Sequence, residues 1–307
     1  MDHPSGRRVA ELAGARAATR GERIASVWGG YGELVRYQLT GGPLPSVVVK
    51  RVQPGRGGGL SHQRKLHSYQ VEQRWYADYA PQIAGCCRGA ACLAVERDEG
   101  GWLFVLEDLD AAGFPVRIQQ PKGRQLDAVL RWLAAFHARL LGQRPRGLWR
   151  SGTYWHLQTR SEELQRMGRG PLREAAEAID RRLASARFQT LVHGDAKPAN
   201  FCWRADGGEV AAVDFQYVGK GVGVKDVAYL LAGEDRATAE AGVERYLQAL
   251  GRAAPPEVAE ALVAEWRALY PWAWADFQRF LAGWAPNWRL QPHERALTEG
   301  VLRAVWE

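Results

Sequence analysis

Two carboxylates, an amide and an ammonium stand close together in the middle of the sequence. Residues 193–200 read His-Gly-Asp-Ala-Lys-Pro-Ala-Asn, and Asp214-Phe215 follows in VDFQ. Phosphoryl transfer asks little covalent work of a protein. It needs a carboxylate to orient the attacking hydroxyl, hard oxygen ligands for magnesium, and cations on the developing charge. Asp195 can supply the first, as base or hydroxyl-positioning group. Asn200 and Asp214 offer oxygen ligands that suit Mg2+ alongside phosphate oxygens and water. Lys197 can reach the transferred phosphate. The chain holds only two asparagines and six lysines, yet one of each falls in this octapeptide. A surface turn beside a buried strand would explain Gly-Asp and Lys-Pro separately, but not the joint spacing.

The Asp-to-Asn spacing matches the catalytic loop H-R-D-x-x-x-x-N of protein kinases, and Asp214-Phe215 matches the start of D-F-G. HGDxxxxN followed by VDF resembles the superfamily of aminoglycoside phosphotransferases, choline kinases and ecdysteroid kinase-like proteins. VDFQ, with Gln216 where protein kinases carry glycine, and SHQRKLHSYQVE (61–72) resemble the ecdysteroid kinase-like branch most closely. The resemblance spans about residues 25–285. It implies an α+β, bilobal, protein-kinase-like fold, with a small β-rich lobe (1–109) binding ATP and a larger, mostly helical lobe (110–307) holding the acceptor.

Supporting residues fall at matching places. Lys50 ends the Val47–Val49 strand, where a kinase lysine meets the phosphates, and Glu72 on the following helix is its natural ion-pair partner. The adjacent Arg51 makes a one-residue frame shift the alternative. The turn Gly29-Gly30-Tyr31-Gly32 can cover phosphates with backbone N–H groups, although glycine also serves any tight hairpin. Glu107 and Leu109 sit where the resemblance implies a hinge that bonds adenine through the backbone. Asp226 opens a helical stretch, where it can be a capping carboxylate and, as the resemblance implies, also a brace for the catalytic loop. His193 orients that loop rather than shuttling protons. The strip Gly219-Lys220-Gly221-Val222-Gly223 corresponds to a short activation loop, too short for a phosphorylation-switched enzyme.

The elements that must position these residues are legible in outline. Strand, glycine turn and strand occupy 26–39, a β run spans 46–52, and 54–60 is a glycine-rich loop. A helix follows over 61–79, a strand over 103–109, and an amphipathic helix over 124–141. Helices dominate thereafter, except at 188–215. An amphipathic helix is expected at the N-terminus. The aromatics Trp266, Tyr270, Trp272, Trp274, Phe277, Phe280, Trp284 and Trp288 read as core packing or as walls of an acceptor pocket.

Composition narrows the function classes. Hydrophobic residues make up 46% and charged residues 24%, a globular balance. The formal charge of +7 suits an anionic partner such as nucleotide phosphate, but the basic residues form no long run, which argues against nucleic acid. The four cysteines form no CxxC pair or ligand ladder, and no apolar stretch is long enough to span a bilayer. The reading is a cytoplasmic, ATP- and Mg2+-dependent kinase of a small-molecule hydroxyl, with no membrane partner and no signal for oligomeric state. An aminoglycoside-type antibiotic phosphotransferase or a nucleotide-binding pseudokinase is the alternative.

Overall fold

The computed structural model describes residues 4–27, 30–55, 57–98 and 100–307. Gly29 of the expected phosphate-covering turn, and Arg56 of the 54–60 loop, lie outside the described residues. The chain opens with α1 (Gly6–Ala13), which Ser5 caps by accepting from the Arg8 amide. A five-stranded antiparallel sheet follows: β1 (Ala17–Val27), β2 (Gly32–Thr40), β3 (Ser46–Val52), β4 (Arg88–Gly89, in a separate sheet), β5 (Cys92–Asp98) and β6 (Gly101–Glu107), in the order β1-β2-β3-β6-β5. Between β3 and β4 run α2 (Leu60–Arg74), a π-helical turn (Trp75–Tyr79) and α3 (Ala80–Ile83).

β1 starts at Ala17, well before the expected Ser26. Its side chains are almost all exposed at the sheet edge, so no apolar alternation marks it in the sequence. Pairing with β2 from Ala17↔Thr40 to Val27↔Gly32 holds it instead.

Beyond β6 the chain is mostly helical. α4 (Arg124–Arg139), α5 (Ser161–Arg166), α6 (Pro171–Glu174) and α7 (Ala176–Ala184) precede four short strands. These are β7 (Thr190–Val192), β8 (Phe201–Trp203), β9 (Val210–Ala212) and β10 (Gly219–Gly221). α8 (Val224–Leu230), α9 (Arg236–Ala253), α10 (Pro256–Trp284) and α11 (Pro292–Trp306) complete the chain. β8 and β9 form a hairpin that carries Asn200 just before it and Asp214 just after it. The glycine strip is ordered as β10, antiparallel to β7 from Gly219↔Val192 to Gly221↔Thr190.

Two apolar clusters organise these parts. One, under the five-stranded sheet, holds Val9, Tyr37, Val47, Val49 and Val105. The main core runs from Val52 and Phe104 through Trp75, Phe136 and Phe215 to Trp266 and Phe280. Phe215 knits the 193–216 segment into it, with its ring stacked 4.5 Å from Trp75 and lying 5.0 Å from His193.

Gly223 leads into α8 at the tightest point of this core. A Cβ there would overlap Trp266, the Tyr246 hydroxyl and the His137 imidazole. Gly223→Ala is therefore expected to lower unfolding free energy by about 1–3 kcal/mol, as overpacking does, readable as a fall in denaturant midpoint. An unchanged midpoint would show that the core relaxes there.

Candidate active site

Strand alternation decides between Lys50 and Arg51. In β3, Val47 and Val49 face the small-lobe core, whereas Val48 and Lys50 line the cleft between the sheet and the helical region. Arg51 points the other way, to Asp98 at 3.2 Å. Lys50 Nζ donates to both Glu72 carboxylate oxygens at 2.7 Å and lies 3.7 Å from Asp214 Oδ1. Burial opposes the charge on Lys50, but the Glu72 and Asp214 carboxylates overcome it and hold the ammonium above its ordinary pKa.

The 193–200 segment is built around Gly194 and Asp226. Gly194 has φ of 80°, and a Cβ there would run into the Tyr217 carbonyl oxygen, so the position demands glycine. Asp226, fully buried in the first turn of α8, accepts from the amides of His193 at 2.6 Å and Gly194 at 2.9 Å. Asp226 thus braces the loop and is not the α8 cap, a position held by Gly223. His193 bonds the Val213 carbonyl through Nε2 at 3.1 Å and accepts from the Asp195 amide through Nδ1 at 3.3 Å. Burial pushes its pKa down, which keeps the ring neutral for this orienting role.

Asp195, Lys197 and Asn200 form one unit. Lys197 Nζ and Asn200 Nδ2 both donate to Asp195 Oδ2 at 2.9 Å, and Asn200 Nδ2 also donates to the Asp195 carbonyl at 2.7 Å. With its NH2 engaged, Asn200 has its amide oxygen left as an acceptor. Burial pushes Asp195 up to about 6, against the pull of Lys197. Asp214 sits at φ of 67°, a left-handed conformation that aspartate tolerates better than most residues. Asp195 Oδ1 and Asp214 Oδ1 are both buried without a hydrogen-bond partner. Two buried carboxylate oxygens without hydrogen-bond partners, one of them paired at longer range with Lys50, fit a site that receives a hydroxyl and a cation.

The cleft has a volume of about 590 Å3 and joins Lys50, Glu72, Asn200 and Asp214 to an apolar surface that includes Val27, Leu34, Leu106, Leu109 and Val213. A volume of that size suits a nucleotide-sized ligand. Glu107 borders it, with its amide donating to Ala91 at 2.8 Å and its carboxylate accepting from the Ala91 amide at 3.0 Å. Leu109 is buried, and its carbonyl accepts from the Phe114 amide at 2.8 Å. Gly30 has φ of 83° in the β1–β2 connection. At Gly32, inside β2, a Cβ would overlap the Arg51 carbonyl, so the absent side chain there is a requirement of the sheet. Among the described residues no group of three or more His, Cys, Asp or Glu side chains is placed to hold a metal. A metal at Asn200 and Asp214 would therefore draw its remaining ligands from phosphate oxygens and water, as Mg2+ commonly does.

Two further residues face this centre, Gln216 from the VDFQ motif and Tyr229, which no motif marks. Gln216 is buried, accepts from Ser68 Oγ of α2 at 3.2 Å and receives the Trp149 indole N–H on its carbonyl at 2.8 Å. It ties the segment after Asp214 to the helix that carries Glu72. Tyr229, on α8, lies beside Asp195 and Tyr154; burial first, then the Asp195 charge, hold its phenol protonated. Spacing could have found Tyr229 only once Asp226 was placed on a helix facing the loop. The aromatic cluster is divided: Trp266, Trp274, Phe277 and Phe280 are buried, while Trp284 and Trp288 are 46% and 45% exposed.

A β-sheet lobe, a helical lobe, a lysine–glutamate pair and an Asp/Asn/Asp set along the cleft between them define a protein-kinase-like fold. The chain belongs to the phosphotransferase enzyme family, whose model matches residues 23–272. Solved structures share the fold at low identity. A Thermobifida fusca protein described as a fructosamine-3-kinase superposes with a TM-score of 0.54 and 17% identity, covering 98% of both chains. The amicoumacin kinase in complex with AMP-PNP and Ca2+ gives 0.53 and 16%, covering 92% of this chain and 87% of its own. The macrolide 2′-phosphotransferase of Brachybacterium faecium gives 0.50 and 15%, covering 96% and 98%. The family match supports the superfamily, the solved structures share the fold, and neither singles out the ecdysteroid kinase-like branch. The search of curated proteins found no match. No helix among the described residues is long and apolar enough to cross a membrane.

Proposed function

We propose that this protein transfers the γ-phosphoryl group of ATP, with Mg2+, to a hydroxyl of a small organic acceptor. The observation that carries the reading is that Lys50, Glu72, Asn200 and Asp214 line one cleft while Asn200 and Lys197 both donate to Asp195. Bound Mg–ATP supplies the activated phosphoryl group and a divalent charge on its phosphates. Lys50, held by Glu72, neutralises phosphate charge, and Asn200 and Asp214 present the metal-binding oxygens. Asp195 orients the acceptor hydroxyl through its free Oδ1 and takes its proton. Lys197, at 2.9 Å from Asp195, stands where it can meet the transferred group. In this reading residues 1–109 hold the nucleotide, with Gly30, Gly32, Glu107 and Leu109 at its edges, and 110–307 hold the acceptor.

Asp214→Asn tests the nucleotide half. Loss of that carboxylate should weaken Mg-dependent ATP binding by tenfold or more, which removes about 1.4 kcal/mol or more of ligand stabilisation at saturating nucleotide. Thermal shift with ATP, with and without Mg2+, reads it directly. Undiminished Mg–ATP stabilisation would remove Asp214 from the metal site. Enzymatic turnover itself is tested by ADP release over a panel of hydroxyl compounds, with Asp195→Asn as the blank.

A further inference from the structure

A second cavity of about 570 Å3 is lined by Lys197 and Pro198, next in sequence to Ala199 and Asn200 of the nucleotide cleft. Tyr154, Tyr229, Phe277, Trp284 and Trp288 frame it. Large apolar side chains are seldom left in water without use, and Trp284 and Trp288 place two half-exposed indoles on this one rim. The Tyr154–Tyr229 phenol pair adds a polar edge directly beside Asp195.

The charges around this cavity do not suit a polycation. Its lining carries Lys122 and Lys197 against a single carboxylate, Glu234, and the one further carboxylate bonded to Lys197, that of Asp195, only brings the balance to zero, so the cavity offers a polycation no acidic excess. Trp284 also borders a neighbouring cavity whose cations, Arg64, Lys65, Arg160 and Arg166, face only Glu162 and Glu163. The Arg160 guanidinium already stands 5.1 Å from the centre of the Trp284 ring. That contact uses the electron-rich ring on a resident cation, and a second cation brought to the same ring would meet repulsion from the first. The Arg64 side chain feels the same excess: burial and then the Arg160 charge push its pKa down.

Resting on the phosphotransferase reading, we propose that the acceptor is a neutral or anionic compound bearing its hydroxyl on a ring scaffold, stacked against Trp284 and Trp288, and not a polycationic aminoglycoside. The hydroxyl oxygen forms the new bond to the γ-phosphorus as the bond from that phosphorus to the bridging oxygen of ADP breaks. The hydroxyl proton passes to the Asp195 carboxylate. The indoles hold the ring, while Lys122 stands at the entrance for an acidic substituent.

The test compares p-nitrophenyl β-glucoside, p-nitrophenyl β-glucuronide and kanamycin. Binding is read by thermal shift of the AMP-PNP–Mg complex, and transfer by ADP release with mass detection of the phosphate ester. The aryl sugars are expected to bind at least about tenfold more tightly than kanamycin. Trp288→Ala, whose ring is half exposed, should weaken their binding about tenfold without lowering the thermal midpoint of the free protein. Kanamycin binding or reacting as well as the aryl sugars would overturn the proposal. So would a failure of both aryl sugars to bind, or their indifference to Trp288→Ala. The underlying reading is judged separately by slow Mg–ATP hydrolysis onto water and its dependence on Asp214. Absence of that signal together with no phosphate ester on any acceptor sinks the phosphotransferase assignment, whereas Asp214-dependent hydrolysis without binding of either aryl sugar sinks only the acceptor class.

Discussion

Asp195→Asn should cost about 10²–10⁴ in turnover while Mg–ATP binding stays within a factor of about two, the range expected for losing a positioned general base. The substitution keeps the shape of the side chain and the Asn200 bond to the residue-195 carbonyl, so the loop has no reason to move. What it removes is the basicity of Oδ1, the oxygen left without a partner in the free protein. Burial already works against the Asp195 charge and pushes its pKa up, so the neutral amide should not lower the thermal midpoint. Steady-state ADP release and nucleotide-dependent thermal shift check the two halves independently. Turnover equal to wild type would mean that another group handles the hydroxyl. Loss of nucleotide binding together with turnover would place Asp195 in the metal site instead.

How far the sequence could carry this site depends on which contacts are local. Asp195, Lys197 and Asn200 lie within one turn of backbone, so their spacing alone puts them in contact, and the structure finds them hydrogen-bonded. Lys50 with Glu72 is legible for a different reason: a strand-end lysine is commonplace alone, but the kinase resemblance, a glutamate on the next helix and the Asp/Asn/Asp set downstream together single it out, and the structure pairs the two. The frame between Lys50 and Arg51 was open in the sequence because both are cationic; only the register of β3 against β2 and β6 settles it. β1 was missed at its start because edge strands need no apolar face. The role of Gln216 depends on Ser68, and that of Tyr229 on Asp195 across a helix–loop contact, neither of which leaves periodicity to read. The aromatic cluster could not be divided by spacing. One helix, α10, carries Trp274 and Phe280 into the core and ends with Trp284 at the surface, and its neighbours decide which is which.

Asp226→Ala is the second large effect, and it falls on stability and turnover together. The carboxylate is fully buried and holds three donors: the His193 amide, the Gly194 amide, and His137 Nε2 at 3.1 Å. His137 is fixed from its other side by the Tyr246 hydroxyl at 2.8 Å, so the imidazole cannot turn to find another acceptor. Alanine would strand two backbone N–H groups and a ring N–H away from water. Breaking a buried network of this kind costs about 3–5 kcal/mol, which corresponds to a fall in thermal midpoint of roughly 5–8 °C for a chain of this size. The two amides belong to the residues immediately before Asp195, so the loop that sets the position of Oδ1 loosens as well. Turnover measured well below the lowered midpoint should therefore fall further than the unfolded fraction explains. Asp226→Asn offers a decisive contrast, because its amide oxygen can still accept from one or both loop amides. It should recover part of both losses, the turnover most. If Asp226→Ala lowered the midpoint but left the folded enzyme at full rate, the carboxylate would be a core group only, and some other contact would be holding the catalytic loop.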